Sequence, residues 1–452
     1  MKLLLALLLV CVQVALVASA STLETLRTLR LAGDYQQALD LARSELSLDN
    51  NNARLLNELG ELEFITGDLD AAFAHFQQVI DLADVDLPMA QWNLAEIHYH
   101  RGDEQLAQGF YHEIRTAFQT QPSLNARDLY AIANATRRLG KTDPQLFKEA
   151  VQLFDQASRM NPSEVDAGIA LGELLLEKYN NQEALEVFKE VLSRNDKHPL
   201  ALLGLARSQH FDYSSEALLT ALQVLDLNPN LVPARGFRSR LYRQLEQYDD
   251  AKSEVQRALE VNPVSLEALA MLAVVQHLER NTAEFAAVEQ RVLELNPRYA
   301  GLYTALADLA AQNRLYREAQ DFAAIAVELD PQSWQGYGLL GMNQLRLGLM
   351  SEGRANLERS FSGDPYNIWI KNTLQLADSF DDYVQISKGQ FQVVLHRDEN
   401  ALLGEYIHEL TADAHRHFSA RYRHQPAEPI RVELYPDHAD FSVRSVGLAG
   451  VG

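Results

Sequence analysis

Between Leu56 and Leu82 the chain reads LNELGELEFITGDLDAAFAHFQQVIDL, with apolar residues recurring three and four apart on either side of a Gly-Asp break. That spacing gathers the apolar side chains on one face of each of two consecutive helices. Gly67 suits the positive φ that ends the first helix, and Asp68 suits the cap of the second. Gly60 and Ala72 are small where two helices joined so closely must touch. The pattern predicts a helical hairpin.

The hairpin pattern repeats. In the C-terminal half Pro229, Pro263, Pro297, Pro331 and Pro365 stand 34 residues apart, each preceded by Asn or Asp (Asn228, Asn262, Asn296, Asp330, Asp364). In the N-terminal half the landmark is different. GDYQQA, GDLDAA and GDEQLA place Gly33, Gly67 and Gly102 at spacings of 34 and 35, each followed five residues later by Ala38, Ala72 and Ala107. The Pro closes each second helix and sets the approach to the next unit.

These residues resemble the tetratricopeptide repeat family. The 34-residue period fits, as do the Leu-Gly pairs Leu59-Gly60, Leu171-Gly172 and Leu340-Gly341, the second-helix Ala184, Ala251 and Ala319, and the closing Asn/Asp-Pro. Two units depart from the pattern: about five extra residues separate Gly140 from Ala150, and Phe285 replaces the usual Ala. Both are expected to distort local stacking without breaking the array. One hairpin cannot bury its apolar face alone, so neighbours stack around a continuous core. The fold expected is all-α, a right-handed α-solenoid of about ten helix pairs over 21–366. The resemblance implies a protein or peptide partner held in the concave groove lined by first helices. Trp92, Tyr99, Tyr242, Tyr303, Trp334 and Tyr337 fall on first helices, as inter-helix core or groove lining.

After Pro365 the rhythm fades. YNIWIKNTLQLADSFDDY reads as one more amphipathic helix, a cap with its linker over 367–388. Phe391–Leu395 then reads as a strand, ALLGEYIHELTADAHRHFSARYRH as a long helix, Ile430–Tyr435 as a second strand, and DHADFSVRS as a short helix capped by Asp437. This small, incomplete α+β segment, 389–452, resembles through RVELYPDHADFSVRSVGLAGVG the opening of a metallopeptidase-like domain of the gluzincin type. The resemblance implies a zinc-binding His-Glu-x-x-His helix later than these residues.

Composition narrows the partners. Asp and Glu number 62 against 40 Lys and Arg, a formal net charge of −22. Such a surface repels a phosphate backbone, so nucleic acid is not expected as a partner. MKLLLALLLVCVQVALVASA has a basic start, an apolar run and the small-residue sequence Ala18-Ser19-Ala20, which predicts a signal peptide over 1–20 and an exported, periplasmic or secreted, mature chain. A retained membrane anchor is the competing reading, although the run is short for a span. No stable membrane insertion is expected after cleavage. Cys11 is the only cysteine, so the mature chain is expected to have no disulfide and no thiolate ligand.

Candidate chemistry is sparse. His408-Glu409 opens the zinc-protease signature, but the residue four positions on is Ala412, and His415 lies two helical turns away. Two such side chains do not share one ion. His396, His417, His424 and His438 complete a histidine-rich stretch whose convergence on a metal would need carboxylates such as Glu409 or Asp413. His98 and His100 are expected to face apart on their helix. Carboxylate pairs are assigned to solvated helix faces. No phosphate loop or nucleophile elbow is found, and neither catalytic residues nor a cofactor are expected. Two functions follow: an exported scaffold that binds a protein or peptide in its groove, or the substrate-recruiting part of an exported zinc peptidase.

Overall fold

A computed structural model describes residues 21–82, 87–120, 123–426 and 429–449. The leader expected at 1–20 lies outside them, as do the last three residues. The chain forms two compact units divided between Leu306 and Ala307.

The first unit is a run of paired helices: α1 (21–32) with α2 (Tyr35–Leu46), α3 (Ala53–Thr66) with α4 (Leu69–Leu82), α5 (Leu87–His100) with α6 (Glu104–Thr120), and α7 (Ala126–Leu139) with α8 (Leu146–Met160). It continues with α9 (Asp166–Glu177) and α10 (Asn181–Arg194), α11 (Pro199–Phe211) and α12 (Glu216–Leu227), α13 (Val232–Gln244) and α14 (Tyr248–Val261), and α15 (Leu266–Leu278) and α16 (Thr282–Leu295). The expected helical-repeat solenoid is therefore what these residues build. Gly67 has φ +91° and Asp68 Oδ1 accepts from the Ala71 amide at 3.2 Å, the stop and the start read from the sequence.

Close packing explains the small residues. Ala38, Ala72, Ala107, Ala150, Ala184 and Ala251 are fully buried near the same point of the second helices α2, α4, α6, α8, α10 and α14. The Phe76 ring lies on Gly60, where an added Cβ would fall 2.5 Å from it. Phe188 is wedged between Gly172 of its own hairpin and Gly204 of the next, so one ring fills two helix contacts. At the eighth pair Phe285 stands half-buried, and Val292 alone is buried among the residues of α16. The second helix of this pair therefore buries fewer of its residues than its neighbours do. The extra residues of the fourth unit form a turn between Gly140 and Gln145.

The second unit begins inside α17 (Gly301–Gln312) and continues with α18 (Tyr316–Leu329), α19 (Trp334–Arg346), α20 (Met350–Gly363) and α21 (Ile368–Ser379). Ala307, Ala323 and Leu340 share one core cluster, and Leu345, Leu357 and Ile370 another. The stretch expected to be one helix to Tyr383 is shorter. After Ser379 come a 3-10 turn, Phe380–Asp382, and a strand, β1 (Tyr383–Lys388). This strand is half-exposed and has little apolar alternation, so nothing in its own residues separated it from a linker.

β1 pairs antiparallel with β2 (Phe391–His396) across a tight turn at Gly389-Gln390, and β2 pairs parallel with β3 (Ile430–Glu433). The crossover from β2 to β3 is α22 (Arg397–Tyr422), which packs on β2 and β1. α23 (His438–Val446) follows; Asp437 precedes it but makes no side-chain capping bond. α23 rests on α21, where Trp369 meets Gly447 and Asn372 Nδ2 donates to the Gly447 carbonyl at 3.1 Å. Glu433, at the end of β3, accepts from Arg431 Nε at 2.6 Å, Arg444 Nε at 2.7 Å and the Tyr435 hydroxyl at 2.7 Å.

Candidate functional site

Within the first unit the first helices pack beside one another: α3 with α5, α5 with α7, α7 with α9, α9 with α11, and α13 with α15. Second helices make no comparable contacts among the described residues, so the first helices form the tighter, inner face. A cavity of about 380 Å³ opens on that face. α7 contributes Arg137, α9 Glu173 and Glu177, α11 Arg207, His210 and Phe211, α13 Phe237 and Arg240, and α15 Glu267.

Charge lines this recess in pairs over an aromatic floor. Arg137 donates to Glu177 Oε2 through Nε at 2.9 Å and Nη2 at 2.6 Å, and Arg207 Nη1 donates to Glu173 Oε1 at 2.7 Å. Burial disfavours the Glu177 carboxylate, but Arg137 and Lys178 outweigh it and hold its pKa below the usual range. The His210 imidazole meets the Phe237 ring edge-on at 5.7 Å; burial and then the Arg240 charge push its pKa down. Arg240 is exposed. The recess offers an imidazole, flat rings and guanidinium groups, a combination suited to an aromatic or carboxylate-bearing side chain.

A second part of the inner face is filled by the protein itself. Arg27 and Arg30 of α1 meet Glu58 and Glu61 of α3, with Arg30 Nη1 2.5 Å from Glu61 Oε2. Arg127 of α7 reaches the same two carboxylates at 3.6 and 3.5 Å, and Arg27 also reaches Glu164, just before α9, at 3.5 Å. Glu58 is only 2% exposed; its burial, and then the neighbouring Glu61, raise its pKa against the pull of three arginines. Side chains from the first, second, fourth and fifth hairpins thus meet here. A third network joins α5, α6 and α7: Arg138 clamps Glu96 through Nε at 2.9 Å and Nη2 at 2.5 Å, the Tyr111 hydroxyl of α6 donates to Glu96 Oε1 at 2.7 Å, and the Arg138 guanidinium lies 4.3 Å above Tyr99.

These networks correct the assignment of carboxylate pairs to solvated faces. Glu58, Glu63 and Glu254 are at most 3% exposed and ion-paired. A readable signal was present: Arg27/Arg30 and Glu58/Glu61 are spaced i, i+3 on first helices, on the side that carries core residues. Of the aromatic residues expected on first helices, Tyr303 is buried and Tyr99 carries Arg138 on its face. His98 stacks on Phe110 while His100 turns away to the Val264 carbonyl, 3.0 Å distant. His408 and His415 both stand edge-on to Phe391, at 5.9 and 5.5 Å. Among the described residues no three His, Cys, Asp or Glu side chains group as metal ligands, and no helix is long and apolar enough to cross a membrane.

The repeat pattern matches the tetratricopeptide repeat model over residues 25–86, 145–200 and 238–300. The chain is similar to the protein CTR9 homolog of Arabidopsis thaliana, 30% identical over 148 residues, which is 32% of this chain and only 14% of that protein. It is similar to the TPR repeat-containing protein YpiA of Bacillus subtilis, 22% identical over 320 residues, covering 61% of this chain and 76% of that protein. Among solved structures it is similar to a tetratricopeptide repeat protein of Parabacteroides merdae, with TM-score 0.38 and 22% identity, covering 55% of this chain and 99% of the other.

Proposed function

We propose that this tetratricopeptide-repeat chain is an exported scaffold that captures a protein or peptide partner on the inner face of its first unit. The observation that carries the reading is the recess between α7, α9, α11 and α13, which joins Phe211, Phe237 and His210 to the exposed Arg240. An anchoring side chain with a flat or carboxylate end fits that chemistry, and the flanking first helices supply a surface for the residues on either side of it. Export is supported by the leader pattern of residues 1–20. The −22 charge supports a protein partner over nucleic acid.

The test is capture of partners from the native envelope and secreted fractions, followed by titration against Arg240→Glu. This exposed substitution leaves the helical core untouched, and a loss of affinity of about tenfold is expected from reversing one charge that faces the partner. Unchanged affinity would remove the recess from the binding site. N-terminal sequencing of the native protein tests export, with a mature start at Ser21 expected.

A second reading draws on the segment 389–452, whose stretch RVELYPDHADFSVRSVGLAGVG carries the peptidase resemblance and whose first part folds as a parallel β2–α22–β3 unit. In that reading 389–452 opens a zinc peptidase domain and the array recruits its substrate. A reading frame continuing past codon 452 into a His-Glu-x-x-His helix would favour it; a stop codon there would end it.

A further inference from the structure

Stacking between neighbouring hairpins sets the curvature of a solenoid, but nothing in it requires hairpins five units apart to touch. In the first unit they do. Asn228 Nδ2 donates to the Arg30 carbonyl at 3.3 Å, Asn262 Nδ2 to the Phe64 carbonyl at 3.3 Å, and Asn296 Nδ2 to the Tyr99 carbonyl at 3.2 Å. The partners lie 198, 198 and 197 residues apart. Corners after the sixth, seventh and eighth hairpins therefore dock, in order, on turns of the first, second and third.

Each rung has the same construction. The asparagine Oδ1 accepts the amide two residues on, at 3.0 Å from Asn230, 3.0 Å from Val264 and 2.9 Å from Arg298, which fixes the side chain and aims its NH2 group outward. The carbonyl it reaches lies in the last turn of a first helix, where it also accepts the amide of the turn glycine, at 3.2 Å from Gly33, 3.2 Å from Gly67 and 3.1 Å from Gly102, and uses its second lone pair for the asparagine. The side chain lies against Gly33, Gly67 or Gly102. A Cβ there would come within 2.7 Å of Asn262 Oδ1 at Gly67, within 2.6 Å of Asn296 Oδ1 at Gly102, and closer still at Gly33. Asn230 Nδ2 donates to the Gly33 carbonyl at 3.0 Å, and Arg298 pairs with Glu104 at 3.1 Å.

The rungs explain the split between the two landmarks. Positive φ at the turn does not by itself demand glycine here, because Tyr179, Tyr213, Glu246, Arg280 and Arg314 adopt it at the corresponding place. In the first three hairpins an asparagine from five hairpins later occupies the space that a side chain at the glycine would take. Reaching across requires the amide. Asp330 keeps the local turn, accepting from the Gln332 amide at 2.9 Å, but a carboxylate has no NH2 with which to reach a carbonyl.

We propose that the three asparagine–glycine rungs are a latch that closes the first unit into one complete turn and shuts its inner face to lateral access. Neighbour stacking shapes the hairpins, and the latch holds the turn shut. The proposal is independent of what the inner face binds.

The experiment measures distances across the seam in the full chain carrying Cys11→Ser. Spin labels at Gln37→Cys and Asp226→Cys, both exposed, report opening; labels at Gln37→Cys and Asp70→Cys report neighbour stacking. The latched chain gives one narrow distribution for the seam pair. In Asn228→Ala/Asn262→Ala/Asn296→Ala the seam distribution lengthens and broadens while the neighbour pair stays fixed. A seam distance that stays narrow and unchanged in the triple variant, with circular dichroism unaltered, overturns the proposal, as does a broad distribution in the parent. If the triple variant loses its helicity, the three single variants decide: broadening in each supports the latch, and none in any refutes it.

Discussion

Replacing Gly67 with alanine separates two costs that glycine avoids. At φ +91° an L-residue is strained by about 1–2 kcal/mol. The new Cβ would also lie 2.7 Å from Asn262 Oδ1, so the amide must swing away and its bond to the Phe64 carbonyl is lost. A net hydrogen bond is worth about 0.5–1.5 kcal/mol; the Phe64 carbonyl keeps its Gly67 amide at 3.2 Å, so no larger penalty for an unpartnered acceptor applies. The expected loss is about 1.5–3.5 kcal/mol. Gly348 provides the control. It has φ +82°, but a Cβ there would meet nothing nearer than Arg431 Cδ at 3.9 Å, so Gly348→Ala carries the backbone cost alone. Repeat arrays unfold in parts, so the readout is native-state hydrogen exchange, residue by residue. In Gly67→Ala the Val264 amide, held by Asn262 Oδ1, should exchange roughly tenfold faster, the factor equal to about 1.4 kcal/mol. Gly348→Ala should leave it alone. A double-mutant cycle with Asn262→Ala should return a coupling of about 0.5–1.5 kcal/mol. Zero coupling, or equal losses at Gly67 and Gly348, would refute the reasoning.

Phe188→Ala removes the ring seated between Gly172 and Gly204 and should destabilise the hairpins it joins by about 3–5 kcal/mol, whereas Phe285→Ala, half-buried in the eighth hairpin, should cost about 1 kcal/mol; native-state hydrogen exchange of the surrounding helices in both variants makes the comparison. Burial opposes the Glu433 carboxylate, but the Arg444 charge and hydrogen bonds from Arg444, Arg431 and Tyr435 prevail and hold its folded pKa below the usual carboxylate value. Its contribution is therefore fully present above that value and is lost as the pH falls towards the lower folded one. Acid unfolding of the second unit should accordingly lose part of its pH dependence in Glu433→Gln, and an unchanged acid profile would contradict the assignment.

The 34-residue period, the helix stops at Gly67 and Gly102 and the crossing-point alanines were legible because residues adjacent in a hairpin are adjacent in sequence. The βαβ order after Gly389 was legible too, since β2 is apolar and α22 long. β1 was missed, because a half-exposed edge strand has the composition of a linker and is defined by its pairing with β2. The inner-face recess was foreseen only as a groove on first helices. Its residues come from five helices, so no local window contains them.

Sequence alone, then, determined the repeating unit, since its helices, turns and buried faces depend on neighbours at most one period away. It also displayed both halves of the seam, glycine in three early turns and asparagine at three later corners, without showing that they meet. Only the tertiary structure decided that, because the curvature accumulated over five hairpins determines which carbonyl an asparagine reaches. The same curvature brings Arg27, Arg127 and Glu164 together around the buried Glu58, pairing residues that no single helix places side by side.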